Sequence, residues 1–330
     1  MVATKNSESK DEVLKPPALK KGDKVALLAP SSRPSSHVEV SRAAALVKEM
    51  GFKPVIGKHV LDSHGYMAGS DKDRLADLND AIRNPQIKGV FMLCGGYGAL
   101  PLLPHIDYDR LKKDPKVFVG SGDTTSILLA LHKVTGLVVF HGPNLIDIRD
   151  KQSFRKYARG IKRRAALPFI APNEGFNERK GEFHRYCYSG LESNSTPKGR
   201  LIGGNLTSMA SLLGTEFEVD CKDRILFIND SQERNDILDR WLTSLTINGA
   251  LDDAKALVFG EFIDCYQRGS YSMHSIFELI LERMHRLKKP HLLGFPLGEG
   301  GVTSVLPIGV RVKLDSECRM YFQERALALP

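Results

Sequence analysis

Short, largely apolar segments alternate with helix-like patterns through the first half of the chain, and this alternation strongly constrains the fold. Lys24–Ala29, Gly89–Cys94 and Val117–Val119 place apolar residues at successive positions, whereas 38–50 and 71–83 have the spacing of amphipathic helices. A strand that is apolar on both faces needs cover on both faces, as in a parallel sheet with helices on either side. The pattern therefore predicts an α/β protein with an N-terminal Rossmann-like parallel sheet.

Shifts in composition divide the chain into four parts. Residues 1–17 are polar and charged and are predicted to form a disordered tail, and 18–150 form the Rossmann-like domain. The segment 151–198 is polar, aromatic and basic, which is typical of a linker or surface excursion. Strand-like and helix-like segments resume at residue 199 and end in β-like segments, so 199–330 is predicted to be a C-terminal β-rich α/β domain.

Composition argues against a membrane, secreted or nucleic-acid-binding protein. No run approaches the ~18 apolar residues of a membrane span, and the N-terminus lacks the apolar segment of a signal peptide. The five cysteines are widely spaced without a C-x-x-C pair, which fits a reducing cytoplasm. The net charge of +8 comes from dispersed Lys and Arg residues without interleaved aromatic residues, so we expect no nucleic-acid partner.

The segment Val117–Ser126 combines a buried strand, a glycine-rich turn and the start of a helix. This arrangement presents one side chain and several backbone N–H groups at a helix N-terminus, where an anion is stabilised. Hydrolases built on such an elbow carry Ser or Cys at its apex, but here the apex is Gly122, between Ser121 and Asp123. Glycine offers no nucleophile. Because elbow geometry is strict, the neighbouring Ser121 side chain is predicted to point away from the nucleophile position.

Further motifs follow in a fixed order along the chain: Leu28–Ser32, Met67–Asp71, Gly95–Gly98, His141–Pro143, Gly203–Leu206, Gly294–Gly298 and Leu306–Gly309. Together they resemble the LD-carboxypeptidase family, serine peptidases that also include the microcin-immunity peptidases. The resemblance implies a Rossmann-like N-terminal domain and a β-rich, barrel-like C-terminal domain with the site between them. It also implies a homodimer.

The resemblance identifies three positions that carry the catalytic Ser, Glu and His of active family members. They are occupied here by Gly122, Asn229 and Glu299, so all three depart from the family pattern. The family Arg before Gly-Gly-Tyr-Gly is likewise replaced, by Cys94. Covalent serine catalysis is therefore not expected, and Glu299 becomes a candidate general acid or base.

The anion-binding frame around these positions is predicted to survive. The N–H groups of Gly96 and Asp123 could form an oxyanion hole or hold a carboxylate. Candidate binding residues are Gly95, Gly96, Tyr97, Ser121, Asp123 and His141, the last expected to make a structural hydrogen bond rather than act as a base. No G-x-G-x-x-G follows the first strand and no His or Cys residues cluster, so neither a metal nor a cofactor is expected.

Three functions are compatible with this pattern. The first is a repurposed enzyme that isomerises, cyclises or eliminates a small carboxylated or peptide-like substrate by acid–base chemistry. The alternative is a non-catalytic pseudopeptidase that binds a peptide-like ligand or a partner. The third is residual hydrolysis of murein tetrapeptides through an unexpected nucleophile.

Overall fold

The computed structural model describes residues 13–162, 188–192, 194–266, 275–295, 297–298 and 305–328. Glu299 lies outside these residues. Within the described chain the strands are, in order, β1 (Lys24–Leu28), β2 (Lys53–Ile56), β3 (Ile87–Met92), β4 (Val117–Gly120), β5 (Val139–His141), β6 (Tyr188–Ser189), β7 (Lys198–Asn205), β8 (Ile225–Ser231), β9 (Ala256–Ile263), β10 (His291–Leu293), β11 (Leu306–Ile308), β12 (Arg311–Leu314) and β13 (Met320–Phe322).

The α-helices of the described chain are α1 (His37–Glu49), α2 (Asp71–Arg83), α3 (Tyr108–Lys113), α4 (Thr125–Thr135), α5 (Lys151–Lys162), α6 (Leu206–Ala210), α7 (Asn235–Ile247), α8 (Ala250–Asp253) and α9 (Ile276–Leu287). Short 3₁₀ turns cover Leu100–His105, Gly122–Thr124 and Leu145–Asp147. None of the described helices has the length and apolar character needed to cross a bilayer.

The first sheet has the strand order β11-β5-β4-β3-β1-β2. Strands β1 to β5 are mutually parallel, and β11 is antiparallel to β5 at the edge. Phe91 and Phe118 are fully buried between this sheet and its helices. The predicted Rossmann-like parallel sheet is confirmed.

The chain reverses its direction of travel across this sheet at β1, because β2 lies on one side of β1 and β3 on the other. The loops after β1 and β3 therefore leave the same sheet edge side by side, and the Ser32 N–H donates to the Gly95 carbonyl at 3.1 Å. In doubly wound sheets a ligand crevice forms at this point.

The second sheet has the order β13-β12-β7-β8-β9-β10-β6. Strands β7 to β10 are parallel, while β12, β13 and β6 add antiparallel pairs at the edges. Leu226, Phe227 and Val258 are fully buried in its core. The expectation of a second, β-rich α/β unit is confirmed.

Some contacts cross the predicted segment boundaries. β11 comes from the segment 199–330, yet Leu306 pairs with His141 in the first sheet. Leu14, which the composition assigns to the tail, donates its N–H to the Gly136 carbonyl at 2.9 Å. The segment 151–198 contributes helix α5, whose Tyr157 is buried against the ring of Phe91. Such long-range pairings have no signature in local composition.

Candidate functional site

The elbow predicted from the sequence is present between β4 and α4. β4 ends at Gly120, a 3₁₀ turn covers Gly122–Thr124, and α4 begins at Thr125. Gly122 has φ +61°, in the left-handed region that costs a residue with a side chain about 1–2 kcal/mol. The apex thus keeps a left-handed backbone and carries neither hydroxyl nor thiol.

Ser121 does not supply the missing nucleophile. Its side chain is fully buried, and its hydroxyl accepts a hydrogen bond from Asn144 Nδ2 at 3.2 Å. Its N–H donates to Asn144 Oδ1 at 3.3 Å. Ser121 does not line the adjacent cavity, whereas Asn144 does. Ser121 therefore fastens the elbow to the loop after β5.

A cavity of about 770 Å³ opens beside the elbow. Its walls come from the loops after β1, β3 and β5, the elbow, the N-terminal turn of α6 and the loops after β8 and β9. Of the residues predicted from the sequence, those that line it are Gly95, Gly96, Tyr97, Gly122 and Asp123. A volume in this range suits a small-molecule or short-peptide ligand.

Asp123 joins three loops at the edge of the cavity. Its Oδ2 accepts hydrogen bonds from Ser31 Oγ at 2.7 Å and from the Ala99 N–H at 2.8 Å. Burial raises the pKa of this carboxyl, and the two hydrogen bonds oppose that effect. Asp123 thereby holds the loops after β1 and β3 against the elbow.

The glycine turn after β3 packs tightly on the loop after β1. Gly96 has φ +103°, and a Cβ there would lie 2.1 Å from Ser32 Oγ. The Tyr97 N–H donates to Ser32 Oγ at 3.2 Å, so the hydroxyl fixes the turn. A Cβ on Gly95 would lie 3.6 Å from the Asp123 nitrogen, so this turn faces the elbow across a short gap.

An aromatic pair stands at the mouth of the cavity. The Tyr97 ring is exposed and meets the exposed ring of Tyr66 edge to face, with the ring centroids 5.5 Å apart. Tyr66 comes from the loop before α2, so this contact brings together segments that are distant in sequence.

Asn229 and His141 are neighbours in the interior and do not line the cavity. Asn229 is fully buried where the pairing of β8 with β9 shifts register. Burial lowers the pKa of His141 to about 4, and a hydrogen bond with the Asn229 side chain acts in the opposite direction. The His141 ring packs against Phe227 with the centroids 5.5 Å apart. The buried imidazole is therefore neutral at pH 7, and its role stays a prediction.

Asp230 organises the opposite wall, and the sequence reasoning did not single it out. Its carboxylate accepts hydrogen bonds from Asn205 Nδ2 at 2.7 Å and from Thr207 Oγ1 at 2.8 Å. Burial raises its pKa. Ser208 then donates to the Gly122 carbonyl at 2.9 Å, which ties this wall to the elbow. The Asn-Asp pair was visible in the sequence, but only the contact with α6 reveals what its Asp does.

Asp147 is a second cavity-lining carboxyl that the sequence did not indicate. It accepts a hydrogen bond from Asn144 Nδ2 at 3.3 Å, and burial raises its pKa. Asn144 thus links Asp147 to Ser121.

Among the described residues, one group of side chains has the spacing of metal ligands. The ligand atoms of His59, Asp62 and Asp73 lie within 4.8 Å of one another, outside the cavity lining. Asp73 already accepts the N–H and hydroxyl of Ser70 in the capping box of α2, and His59 Nδ1 lies 2.6 Å from Asp62 Oδ2. These contacts explain why the three side chains lie together: Asp73 caps the start of α2, and His59 pairs with Asp62 in the loop before it.

Family models match both parts of the chain. The LD-carboxypeptidase N-terminal domain matches residues 25–142, and the LD-carboxypeptidase C-terminal domain matches residues 198–314. The probable murein peptide carboxypeptidase of Bacillus subtilis is 33% identical over 309 residues, which is 92% of each chain. The Microcin C7 self-immunity protein MccF of Escherichia coli is 28% identical, over 83% of this chain and 84% of that protein.

Solved structures agree with these matches. MccF in complex with glutamyl sulfamoyl guanosine has a TM-score of 0.81 at 25% identity, over 96% of this chain and all of that one. Muramoyltetrapeptide carboxypeptidase from Oxalobacter formigenes has a TM-score of 0.75 at 26% identity, over 92% of this chain and 99% of that one. With two domain models and a full-length relative in agreement with the elbow and the cavity, the chain belongs to the LD-carboxypeptidase family.

Proposed function

We propose that the protein binds a small peptide-like ligand in the cavity beside the elbow and does not cleave it through a serine nucleophile. The observation that carries this proposal is a cavity of about 770 Å³ that stays open beside Gly122. A ligand can therefore reach the elbow, but no hydroxyl or thiol stands at the apex to attack it.

The relatives support the choice of ligand class. Their names describe a murein peptide carboxypeptidase, a muramoyltetrapeptide carboxypeptidase and a protein solved with an aminoacyl-nucleoside analogue. These ligands share an amino-acid unit joined through an acyl group. A short peptide with an LD linkage is the probe that follows from this similarity.

Acid–base chemistry on the bound ligand is the second candidate function. Asp147 favours it, because this cavity-lining carboxyl has a raised pKa and accepts one hydrogen bond from a side chain. A raised pKa increases the fraction of a carboxyl that is protonated at a given pH, which suits a group that gives and takes a proton. The candidacy of Glu299 stays a prediction, since this residue lies outside the described chain.

A tetrapeptide with an LD linkage tests both candidates. We expect wild-type protein to bind L-alanyl-γ-D-glutamyl-L-lysyl-D-alanine by calorimetry and to release no D-alanine by chromatography. Incubation in D₂O followed by mass spectrometry separates the candidates, because acid–base chemistry at a Cα would incorporate deuterium. Loss of deuterium incorporation in Glu299→Gln or Asp147→Asn would identify the residue that moves the proton.

Restoring the missing groups provides the control. Gly122→Ser alone is expected to leave the peptide intact, because no imidazole activates the new hydroxyl. The triple variant Gly122→Ser, Asn229→Glu, Glu299→His restores the family residues at all three positions and should release D-alanine. Release of D-alanine by the wild-type protein, absent from a Gly122→Ala variant, would contradict the proposal.

A further inference from the structure

The side chains lining the cavity include many more carboxyl groups than basic groups. Its five carboxylates are Asp123, Asp147, Asp230, Glu233 and Asp264, and its one basic side chain among the described residues is Arg149. None of these five carboxylates forms a salt bridge with a described Lys or Arg. At the rim, no described Lys or Arg therefore neutralises Glu233 or Asp264 through an ion pair.

The inner carboxylates are held in place by neutral donors. Asp230 accepts the N–H groups of Thr207 and Ser231 together with two side-chain donors, and Asp123 accepts Ser31 and Ala99. Hydrogen bonds from neutral groups fix the position of a carboxylate without removing its charge. Both carboxyl groups are thereby held at fixed positions in the cavity wall.

The outer carboxylates lie on the loops after β8 and β9. Glu233 accepts the N–H of Arg234 at 2.7 Å, and Asp264 is exposed on the facing loop. The backbone of these loops is tied by the Gln232 N–H, which donates to the Ile263 carbonyl at 2.8 Å. Two carboxylates thus stand on adjoining, hydrogen-bonded loops at the rim.

We propose that the ligand of this cavity carries a primary ammonium group, which the Glu233 and Asp264 carboxylates at the rim attract. An ammonium group has three donors and suits several carboxylates at once, whereas a ligand with only negative charge would be repelled. The partners left for the ligand's carboxylate are then the backbone N–H groups of the elbow and Arg149, the basic side chain of the described lining. This inference rests on the proposed function and specifies its ligand as a zwitterionic peptide.

Two forms of one peptide test the charge requirement. The probes are L-alanyl-γ-D-glutamyl-L-lysyl-D-alanine with both amines free and the same peptide with both amines acetylated, measured by calorimetry. We expect the free-amine peptide to bind at least tenfold more tightly. The difference should shrink severalfold at high salt, because screening weakens interactions between solvent-accessible charges.

Isosteric variants assign the preference to the rim. Asp264→Asn and Glu233→Gln remove charge while keeping shape, and each should reduce the preference for the free-amine peptide by threefold or more. Asp264 has φ +52°, and asparagine tolerates this left-handed backbone well. Asp223→Asn is the matched control, because Asp223 is exposed, has φ +59° and lies outside the cavity lining.

The outcomes separate this inference from the proposed function. Equal binding of both peptides, or a preference unchanged in both rim variants, would overturn the ammonium requirement and leave the proposed function standing. Binding of neither peptide by folded wild-type protein would overturn both.

Discussion

At the scale of single residues, Gly122 keeps the backbone shape of a catalytic elbow without its reactive side chain. A catalytic elbow places its nucleophile in a sharp, strained turn, and that strain persists only where the surrounding structure imposes it. Here the turn keeps φ +61° while the residue that occupies it is the one that bears this angle without cost. The elbow is therefore retained as a backbone shape, which presents N–H groups but no reactive side chain.

The cost of restoring a side chain at the apex can be measured. Gly122→Ser is expected to lower the free energy of unfolding by about 1 kcal/mol, because serine must adopt the left-handed backbone. Gly65→Ser is the matched control, since Gly65 has φ +60° with nothing within 4 Å of an added Cβ. Urea unfolding should give similar losses for the two variants. A much larger loss at Gly122 would show that the elbow cannot accommodate a side chain.

The buried side chain of His132 makes the stability of the fold depend on pH. Burial lowers the pKa of His132 to about 4. On acidification the unfolded state therefore binds a proton at this residue from about pH 6.5, whereas the folded state binds one only near pH 4. The contribution of the neutral His132 to the free energy of unfolding is fully present above pH 6.5 and is lost as the pH falls towards 4. Between pH 7 and pH 5, the free energy of unfolding of His132→Gln should fall by about 2 kcal/mol less than that of the wild type, as measured by urea unfolding. An identical pH dependence would contradict this assignment.

At the scale of elements, the first residues of α2 hold together the loops that form one side of the site. Arg74 is buried, and its guanidinium donates to the carbonyls of Pro30, Gly69 and Gly98 at 3.0, 2.7 and 3.0 Å. These carbonyls belong to the loops after β1, before α2 and after β3. One side chain on a helix thus fixes three loops relative to one another.

Arg74→Lys tests this arrangement, because a lysine keeps the charge but cannot reach three carbonyls in the same geometry. The expected loss is about 3 kcal/mol in the free energy of unfolding, together with weaker binding of the tetrapeptide. Arg83→Lys on the same helix is the control, since Arg83 is mostly exposed and pairs with Asp107 at 2.7 Å. That variant should change stability by less than about 0.5 kcal/mol. Equal effects would show that Arg74 has no special role.

At the scale of the whole molecule, the two sheets are joined by more than one connection. β11 reaches back from the C-terminal part to pair with β5, and the Ala328 N–H donates to the Pro16 carbonyl at 3.0 Å. The cavity likewise takes one wall from each part of the chain. Unfolding of one part therefore exposes the edge of the other and removes half of the site.

Cooperative unfolding is the expected consequence. Trp241 lies in α7, in the C-terminal part, and is the one tryptophan of the sequence, so its fluorescence reports on that part alone. Far-UV circular dichroism reports on both parts. The two signals should give coincident urea transitions, and an early fluorescence transition would show that the C-terminal part unfolds independently.

The sequence by itself determined the order and type of the main elements and the chemistry of the apex. Apolar strands, helix caps such as Ser70 before α2 and the glycine-rich elbow are set by neighbouring residues, so local patterns are sufficient to predict them. The identity of Gly122 alone excludes a nucleophile there. Helices α3, α5 and α8 and the strands β6, β7, β10 and β11 were not predicted, because segments stabilised by distant partners carry little local pattern.

Only the tertiary structure decided what surrounds the apex. The hydrogen bond between Ser31 and Asp123 spans 92 residues, and Asn205 reaches Asp230 across neighbouring strands. Nothing in the spacing of these residues specifies such contacts, because they depend on which strands lie side by side. The acidic lining of the cavity arises in the same way, from carboxylates on separate loops. The chain has a net charge of +8, yet the packing of its loops gathers carboxyl groups where a ligand would bind.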